Sequence, residues 1–395
     1  MDKWLMRWQE LKGKHPKALL YTMSALLPMT IMLVVWFFMG SYPFGNKSLM
    51  AVDFGQQYIS FFGLLKNAIL TGDLSSLTYS FTKSLGGDMI GVLGYYLMSP
   101  FNIFYILIPF KHYGLAVFLT IWLRYGAIGL SFSHFLIKRY KGAESRVWLV
   151  PLFAIAYALS GMLVSYQMNV IFYDAMIMLP LVIVYLEEIL DGGRPYRYAF
   201  ILGLTVFLQF YMGYMISIFI VLYSCYYVSP RLSIQGTLKQ KLKHFLNPLV
   251  KTFAFSVIGV DTASVLIVPV FYNLLESKGQ VGDAMKFSLA FQINPVDILS
   301  KLAIGGFDTA SGWSAGPNLP NIYIGALGFL GFILYFTSKK IAKEKRWAAG
   351  AVTFVFFLSF VNEFVSKIWH MGQNPAGFFF RFSWLFSFFM LVLAY

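Results

Sequence analysis

"ALLYTMSALLPMTIMLVVWFFMG", residues 18–40, is the first long apolar run of the chain, and it decides the fold class. The hydrocarbon core of a bilayer is about 30 Å thick, and roughly 20 mainly apolar residues of helix are needed to cross it. The run is too long for the hydrophobic region of a secretory signal, and no small-residue cleavage site follows it. We therefore expect a retained transmembrane helix here.

The composition extends this expectation to the whole chain of 395 residues. Hydrophobic residues make up 58%, aromatic residues 19% and charged residues only 12%, which is far from a soluble domain. The net charge of +14 would suggest nucleic acid in a soluble protein, but basic loops on one side of a membrane explain it better. The single cysteine, Cys225, excludes an internal disulfide and a thiolate metal cluster. We predict an all-α polytopic membrane protein.

Basic loops predict the topology. They hold 21 of the 31 lysine and arginine residues, and the positive-inside rule assigns them to the cytoplasm. The N-terminus is then inside, residues 41–114 and 276–320 are outside, and nine complete spans precede a tenth that begins near residue 380. The basic loops are residues 1–17, 138–146, 191–198, 229–251 and 338–346. The complete spans are about 18–40, 115–137, 147–165, 172–190, 199–228 (crossing twice), 252–275, 321–337 and 347–365.

Two of these runs are unusual. The run 199–228 lies between two basic loops, so it has to cross an even number of times, as two short helices hinged at "QFYMGYM", residues 209–215. A backbone break at membrane depth is tolerated only against protein or a watery cavity, and we expect this hinge to line a cavity that opens to the outside. The sequence ends at "FFMLVLAY", inside the tenth run, which predicts a chain truncated in its last span.

"SLMAVDFGQQYISFF", residues 48–62, follows the first span. Asp53 with Gln56 three residues later is typical of a helix N-cap with a capping-box partner, and a cap can also carry chemistry. The residues beyond them alternate with helical spacing, which predicts a helix lying in the membrane interface with one wet face. The polar or small positions are Gln56, Ser60, Gly63 and Asn67, and the apolar ones are Ile59, Phe62 and Leu65.

The other charges near the outer surface are open to two interpretations. Asp174 is either a helix cap or a functional acid, and Arg381 is typical of an interfacial anchor that snorkels to headgroups, although another role stays open. His370 alone is weak evidence for a metal. Arg124 and Asp261 lie deeper, at depths that differ by about four residues, or roughly 6 Å. Intramembrane charges are usually paired, so we predict a structural ion pair between Arg124 and Asp261; the alternative is an ion-coupled transport site.

Four stretches resemble successive signatures of the bacterial YfhO family. They are "DFGQQYISFFGLLKNAILTGD" (53–73), "SLGGDMIGVLGYYLMSPFNIFYILIPF" (84–110), "FYDAMIMLPLVIVYLEEIL" (172–190) and "NPAGFFFRFSWLFSFF" (374–389). The resemblance covers essentially the whole chain, and family members are usually longer. It implies a GT-C-like glycosyltransferase bundle of about ten helices with a long first extracellular loop. Such an enzyme faces outward from the bacterial cytoplasmic membrane and uses a polyprenyl-phosphate sugar.

The resemblance also implies roles for individual residues. GT-C enzymes carry a catalytic acid in the first extracellular loop, a position that Asp53 matches, with Asp174 assisting. A carboxylate there removes the proton of an acceptor hydroxyl, and Arg381 stabilises the leaving lipid phosphate. The acceptor is a cell-wall polymer such as teichoic acid, or a glycolipid, and a divalent metal stays open as a cofactor. The implied substrate-binding residues are Gln57, Tyr58, Tyr95, Tyr96, His370 and Arg381.

Two other functions stay open. A flippase or secondary transporter of lipid-linked substrates has a midplane site built on broken helices, which the hinge at 209–215 favours. A non-catalytic scaffold of the cell envelope is the second. The chain has no Walker motif, so it is not itself an ATP-driven pump. The acids outside, at positions 53, 88 and 174, favour surface chemistry over ion-coupled transport.

Overall fold

The computed structural model describes residues 16–83, 85–276, 288–303, 305–306, 319–373, 375 and 377–395. This part is predominantly helical, with one two-stranded antiparallel sheet. The longer helices are α1 (Pro16–Met39), α2 (Ile59–Thr71), α3 (Tyr113–Arg139), α4 (Leu149–Ala158), α5 (Gly161–Ser165), α6 (Tyr173–Leu190), α7 (Pro195–Leu208), α8 (Phe210–Val228), α9 (Leu238–Thr262), α10 (Ser264–Glu276), α11 (Ala326–Thr337), α12 (Lys343–Val361), α13 (Glu363–Trp369) and α14 (Ser383–Ala394). The strands are β1 (Tyr79–Ser80) and β2 (Gly87–Asp88), and short helical turns cover Phe54–Tyr58, Leu74–Leu77, Ile90–Val92, Leu93–Leu97, Pro100–Asn102, Ile103–Leu107, Phe110–His112, Ala143–Ser145, Val170–Phe172, Ser229–Ser233 and Pro295–Leu302.

Several helices in the described part are long and apolar enough to cross a bilayer. Four qualify alone, and the count rises to six if each of two bent helix pairs forms one span. The pairs are Ile90–Leu97 with Pro100–Leu107, and Leu238–Thr262 with Ser264–Asn273. Four shorter apolar helices, α4, α7, α11 and α14, accompany them. The predicted all-α membrane protein is thereby confirmed, whereas the count of ten spans stays a prediction. The four segments are Pro16–Met39, Phe110–Arg139, Val170–Leu190 and Phe210–Ser233.

The run predicted to cross twice forms two helices, α7 and α8, and the break falls at Gln209. α7 begins close to the end of α6, and α8 returns to that same end, where Tyr223 donates a hydrogen bond to Glu187 of α6 (2.5 Å). The break itself is closed by protein, whereas Tyr214 of the same hinge lines a cavity; the predicted opening of that cavity to the outside stays a prediction. Gln209 is buried, and its Nε2 donates to the carbonyl oxygens of Tyr95 (3.1 Å) and Ile171 (3.2 Å). The Gln209 side chain therefore ties the break to two neighbouring segments of the protein.

The single span predicted at 252–275 is also broken in the structure. α9 ends at Thr262, and α10 starts two residues later at an angle of 75° to it. Leu266 and Val270 of α10 pack against Gly94. α10 therefore leaves the direction of α9 and lies against the segment 41–114.

The basic loops meet at one end of the bundle, here called the basic end. α14 also reaches this end, where Tyr395 packs against Tyr140 with ring centroids 4.7 Å apart. Which side of the membrane the basic end faces stays a prediction. Residues 1–15 and much of the predicted outer segment 276–320 lie outside the described residues. The contacts at the basic end are Lys17–Glu144 (3.0 Å), Arg231–Asp191 (3.3 Å), the buried pair Arg139–Glu187, and Lys345 over the Tyr226 ring (5.5 Å).

α3 is central, because it packs against α1, α4 and α6. Its Phe132 stacks on Tyr157 of α4 (4.6 Å between centroids) and meets Phe388 of α14 edge-on (5.7 Å). On the side facing α1, a Cβ added at Gly129 would lie 2.1 Å from the carbonyl oxygen of Ser24. Small residues let helices approach closely in a membrane, so the crossing of α1 and α3 depends on this glycine.

The helix predicted after the first span is present. A π-helical turn, Phe54–Tyr58, runs directly into α2. Its two faces differ as predicted, because Gln56, Ser60 and Asn67 are exposed whereas Phe62 and Leu65 are buried; its place in the membrane interface stays a prediction. This helix brings the residues around Asp53 to the end of the bundle opposite the basic end, which we call the outer end.

Candidate functional site

The Asp53 carboxylate stands free at the outer end. Its backbone is helical (φ −57°, ψ −28°), and its side chain makes no capping hydrogen bond. An N-cap has an extended backbone that turns its side chain toward the first free N–H groups. The predicted cap is therefore wrong. The backbone N–H of Gln56 donates to the Val52 carbonyl oxygen (3.1 Å) instead. Within the described chain, no hydrogen bond or ion pair engages this carboxylate.

Four of the residues predicted to bind substrate lie beside Asp53. The ring of Tyr96 packs against those of Tyr58 (5.1 Å) and Tyr95 (4.8 Å), and its hydroxyl donates to Gln57 Oε1 (3.5 Å). Burial raises the pKa of the Tyr58 phenol, and the neighbouring tyrosines and the Asp53 carboxylate add to the rise. The charge of Asp53 also acts on the phenols of Tyr95 and Tyr96. We call these four residues, Gln57, Tyr58, Tyr95 and Tyr96, the tyrosine patch.

Arg381 also contacts the tyrosine patch. Its Nη1 donates to the Tyr95 hydroxyl (3.2 Å), and its Nε and Nη2 donate to the carbonyl oxygens of Phe378 and Gly377 (both 3.2 Å). The guanidinium also lies over the ring of Tyr211 (5.4 Å). No carboxylate in the described chain pairs with it, so its permanent positive charge is left uncompensated.

His370 joins the same group through Tyr211. Its Nδ1 shares a hydrogen bond with the Tyr211 hydroxyl (2.8 Å), and the two rings stack with centroids 6.3 Å apart. Burial lowers the pKa of His370 to about 3, and the charge of Arg381 contributes to the shift. The imidazole is therefore neutral. Its Nε2 is buried without a hydrogen-bond partner.

Strained backbone conformations occur close to Asp53, His370 and Arg381. Four non-glycine residues of the described chain have positive φ, and each lies within three residues of Asp53, His370 or Arg381. Such conformations cost about 1–3 kcal/mol each and persist where the surrounding structure enforces them, often at functional sites. The four residues are Val52 (φ 51°), Met371 (φ 55°), Phe378 (φ 50°) and Phe380 (φ 52°).

Arg124 pairs with Asp174, and the predicted pair of Arg124 with Asp261 is wrong. Arg124 Nη2 lies 2.9 Å from Asp174 Oδ2, and both side chains are buried. Asp261 is exposed at the end of α9, without a partner in the described chain. Equal depth along two helices does not make them neighbours: α3 packs against α6, whereas α9 packs against α7. A cavity of about 10 Å³ separates the pair from Tyr95 and Tyr96, so Asp174 lies behind the tyrosine patch.

Comparison with known proteins identifies the family. The sequence model of the family described as bacterial membrane protein YfhO matches residues 24–395. The chain belongs to the YfhO family. Asp53, the tyrosine patch, Asp174, His370 and Arg381 all lie within the matched residues. No curated protein and no solved structure matched the chain.

Two amides that position this YfhO site were not predicted from the sequence. The Tyr58 hydroxyl donates to Oδ1 of Asn169, which is fully buried. Gln209 ties the patch to the helix break, because it donates to the Tyr95 carbonyl oxygen and accepts from the Tyr211 amide (3.2 Å). Gln209 had a signal in the sequence, because it is a lone amide in an apolar stretch and a buried amide needs hydrogen-bond partners. Asn169 had a weaker one, because Gln167 stands two residues before it.

A metal at this YfhO site stays untested. In the described ranges, no group of three His, Cys, Asp or Glu side chains is placed to hold an ion. The roles of Asp53, Asp174, His370 and Arg381 likewise stay predictions, although the structure brings Asp53, His370 and Arg381 to one end of the bundle.

Proposed function

We propose that this member of the YfhO family is a membrane glycosyltransferase of the GT-C type. In this proposal it transfers a sugar from a polyprenyl-phosphate donor to an extracellular cell-wall acceptor, such as teichoic acid or a glycolipid. Family membership supports it, because YfhO proteins are associated with GT-C-like glycosyltransferases. One observation carries it: an uncompensated carboxylate, Asp53, and an uncompensated guanidinium, Arg381, both lie beside one tyrosine patch.

The two opposite charges suit the two ends of a sugar transfer. Asp53 takes the proton of the acceptor hydroxyl while that oxygen bonds to the anomeric carbon. The bond from this carbon to the phosphate oxygen breaks, and the phosphate leaves with the electron pair. Arg381 then stabilises the negative charge of the leaving group. The structure prepares Arg381 for this role, because carbonyl oxygens and a phenol hold it without neutralising it.

In this mechanism the tyrosine patch lies beside both charges and offers ring faces and hydroxyls to the sugar. We assign Asp174 to positioning, because its carboxylate is bound to Arg124 and buried behind Tyr95 and Tyr96. The neutral His370 orients Tyr211, on whose ring Arg381 rests.

A flippase for the same lipid-linked sugar is the second candidate, favoured by the helix breaks at Gln209 and between α9 and α10. Transporters use such breaks to build a midplane site, but the Gln209 break is filled by protein hydrogen bonds. A vesicle assay separates the candidates: a flippase moves a fluorescent lipid-linked sugar across the bilayer without any acceptor. A non-catalytic scaffold would neither move nor transfer it.

Replacing Asp53 by asparagine tests the proposal. The full chain is purified and given a labelled polyprenyl-phosphate sugar and teichoic acid or glycolipid. Asp53→Asn should lower transfer by at least about a hundredfold, the usual scale for losing a general base. Thermal stability should not change, because the carboxylate has no partner to lose. Asp73→Asn, an exposed acid in the same outer segment, is the control. Full transfer by Asp53→Asn would make Asp53 an ordinary surface acid.

A further inference from the structure

An apolar groove of about 870 Å³ lies between α8 and α9. Its walls run from Tyr214 to Cys225 on α8 and from Leu249 to Asp261 on α9, and the start of α10 closes its outer end. At 1.5 Å per residue, each wall is about 17 Å long. A groove of this length covers more than half of the hydrocarbon core.

The groove offers almost no polar group to a ligand. Ser217 Oγ donates to the Gly213 carbonyl oxygen (2.9 Å), and Ser256 Oγ donates to that of Thr252 (2.8 Å). The Ser256 hydroxyl also shares a hydrogen bond with the Tyr198 hydroxyl of α7 (2.6 Å), so both serine hydroxyls already have partners within the protein. Among the described residues, no lysine or arginine lines the groove, and the one carboxylate is that of Asp261, near the outer end. An anionic group therefore finds no partner inside the groove.

The groove opens sideways, toward lipid. Val221 of α8 and Phe253 and Val257 of α9 line it, and their side chains are 58%, 69% and 53% exposed. α8 is one of the helices long and apolar enough to span the membrane. A hydrocarbon chain can thus enter from the bilayer without crossing a polar surface.

The outer end of the groove adjoins the candidate site. Tyr214 lines the groove, and its hydroxyl donates to the carbonyl oxygen of Ile368 (2.8 Å), two residues before His370. Tyr211, one helical turn away on α8, carries the Arg381 guanidinium on its ring (5.4 Å). The Arg381 guanidinium therefore lies just beyond the outer end of the apolar groove.

We infer that this groove holds the polyisoprenoid chain of the lipid-linked donor while the phosphate lies at Arg381. The inference rests on the proposed function and adds the place of the lipid. An amphipathic ligand fits this arrangement, because its anionic head can lie at Arg381 while its long apolar chain lies in the groove. Asp261 repels the phosphate from the groove and so keeps the head at the level of Arg381.

Photo-crosslinking tests the inference. The full chain in lipid vesicles is irradiated with a polyprenyl phosphate that carries a diazirine on one of the first isoprene units after the phosphate, because only these units fit within the length of the groove. The label should map to residues 217–225 and 249–257, and excess unlabelled polyprenyl phosphate should remove it. Labelling confined to other helices overturns the inference. So does a groove that a diazirine phospholipid labels and polyprenyl phosphate does not clear, because ordinary bilayer lipid would then be its occupant.

A variant that fills the groove gives an independent measurement. Val257→Trp should weaken crosslinking about tenfold, the loss that corresponds to two fewer buried methylene groups. In the transfer assay it should raise the KM of a long-chain donor but leave that of a two-isoprene donor unchanged. Val34→Trp is the control, since Val34 on α1 is equally exposed (50%) and lies outside the groove. Unchanged crosslinking in Val257→Trp would contradict the inference.

The outcomes separate this inference from the proposed function. Crosslinks in the groove with no transfer to any acceptor would support the lipid site and contradict the transferase. Sugar transfer together with crosslinks outside the groove would support the transferase and contradict the lipid site.

Discussion

Breaking the Arg124–Asp174 pair should destabilise the protein far more than replacing both partners. The side chains are 1% and 4% exposed, and the charged atoms lie 2.9 Å apart. Arg124→Met leaves the Asp174 carboxylate buried without its cation. Asp174→Leu leaves the guanidinium with only the Ser99 hydroxyl (2.5 Å) and the Phe101 ring (4.8 Å). Each single substitution should cost about 3–5 kcal/mol, the range for an orphaned buried charge.

The double variant distinguishes a coupled pair from two independent residues. Independent losses would add to about 6–10 kcal/mol. Arg124→Met with Asp174→Leu leaves no buried charge, so we expect a loss below that of either single variant, and a coupling energy above about 3 kcal/mol. The assay is unfolding of the purified chain in detergent by heat or denaturant, followed by near-UV circular dichroism.

Asp261→Asn is the matched control, because equal depth in the membrane predicted Asp261 as the partner. Asp261 is exposed and unpaired in the structure, so its replacement should change stability by no more than about 0.5 kcal/mol. Additive losses in the double variant, or an Asp261→Asn loss as large as that of Asp174→Leu, would refute the assignment.

Three further predictions concern the site and the helix packing. His370 has a pKa of about 3 when folded, against 6.5 ordinarily, so protons bind more strongly to the unfolded chain. The free energy of unfolding should therefore fall from pH 6.5 toward pH 3, by about 2 kcal/mol at pH 5. Thermal melts of His370→Gln should lack this pH dependence. Gly129→Ala should cost about 1–3 kcal/mol of overpacking. Gly350→Ala, whose Cβ meets nothing closer than 3.9 Å, should not lower the melting temperature, because alanine favours a helix interior over glycine by about 0.4–1 kcal/mol. Arg381→Lys should weaken equilibrium binding of the polyprenyl-phosphate donor by about 1.5–3 kcal/mol, since lysine lacks the bidentate fork; unaltered binding would make Arg381 an interfacial anchor.

The elements that follow from local pattern were predictable. The apolar runs became helices, and an even number of crossings between two basic loops required the break that occurs at Gln209. The break between α9 and α10 has no such signal. Pro248 and Pro269 lie inside the two helices, and Ala263 stands between them. Packing against Gly94 and α7, which involves distant parts of the chain, places that bend.

The site was predictable only in part. Family motifs selected Asp53 and Arg381, but their environment depends on neighbours that no local pattern reveals. The Asp53 cap failed because Val52 takes positive φ, and Asp53 then enters the helix instead of preceding it. The predicted partner of Arg124 was wrong for a similar reason. A hydropathy profile gives the depth of a residue in the membrane, whereas ion pairing depends on which helix faces point at each other.

The hydrogen bond from Arg381 to Tyr95 joins residues 286 positions apart, and it bears on how the protein is made. A chain leaving the ribosome exposes Asp53 and the tyrosine patch long before residue 381 is synthesised. Until then the carboxylate has no cation beside the patch, and no half-made chain can hold a lipid phosphate there. On the proposed function, activity should therefore begin only after the segment that carries Arg381 has docked against Tyr95.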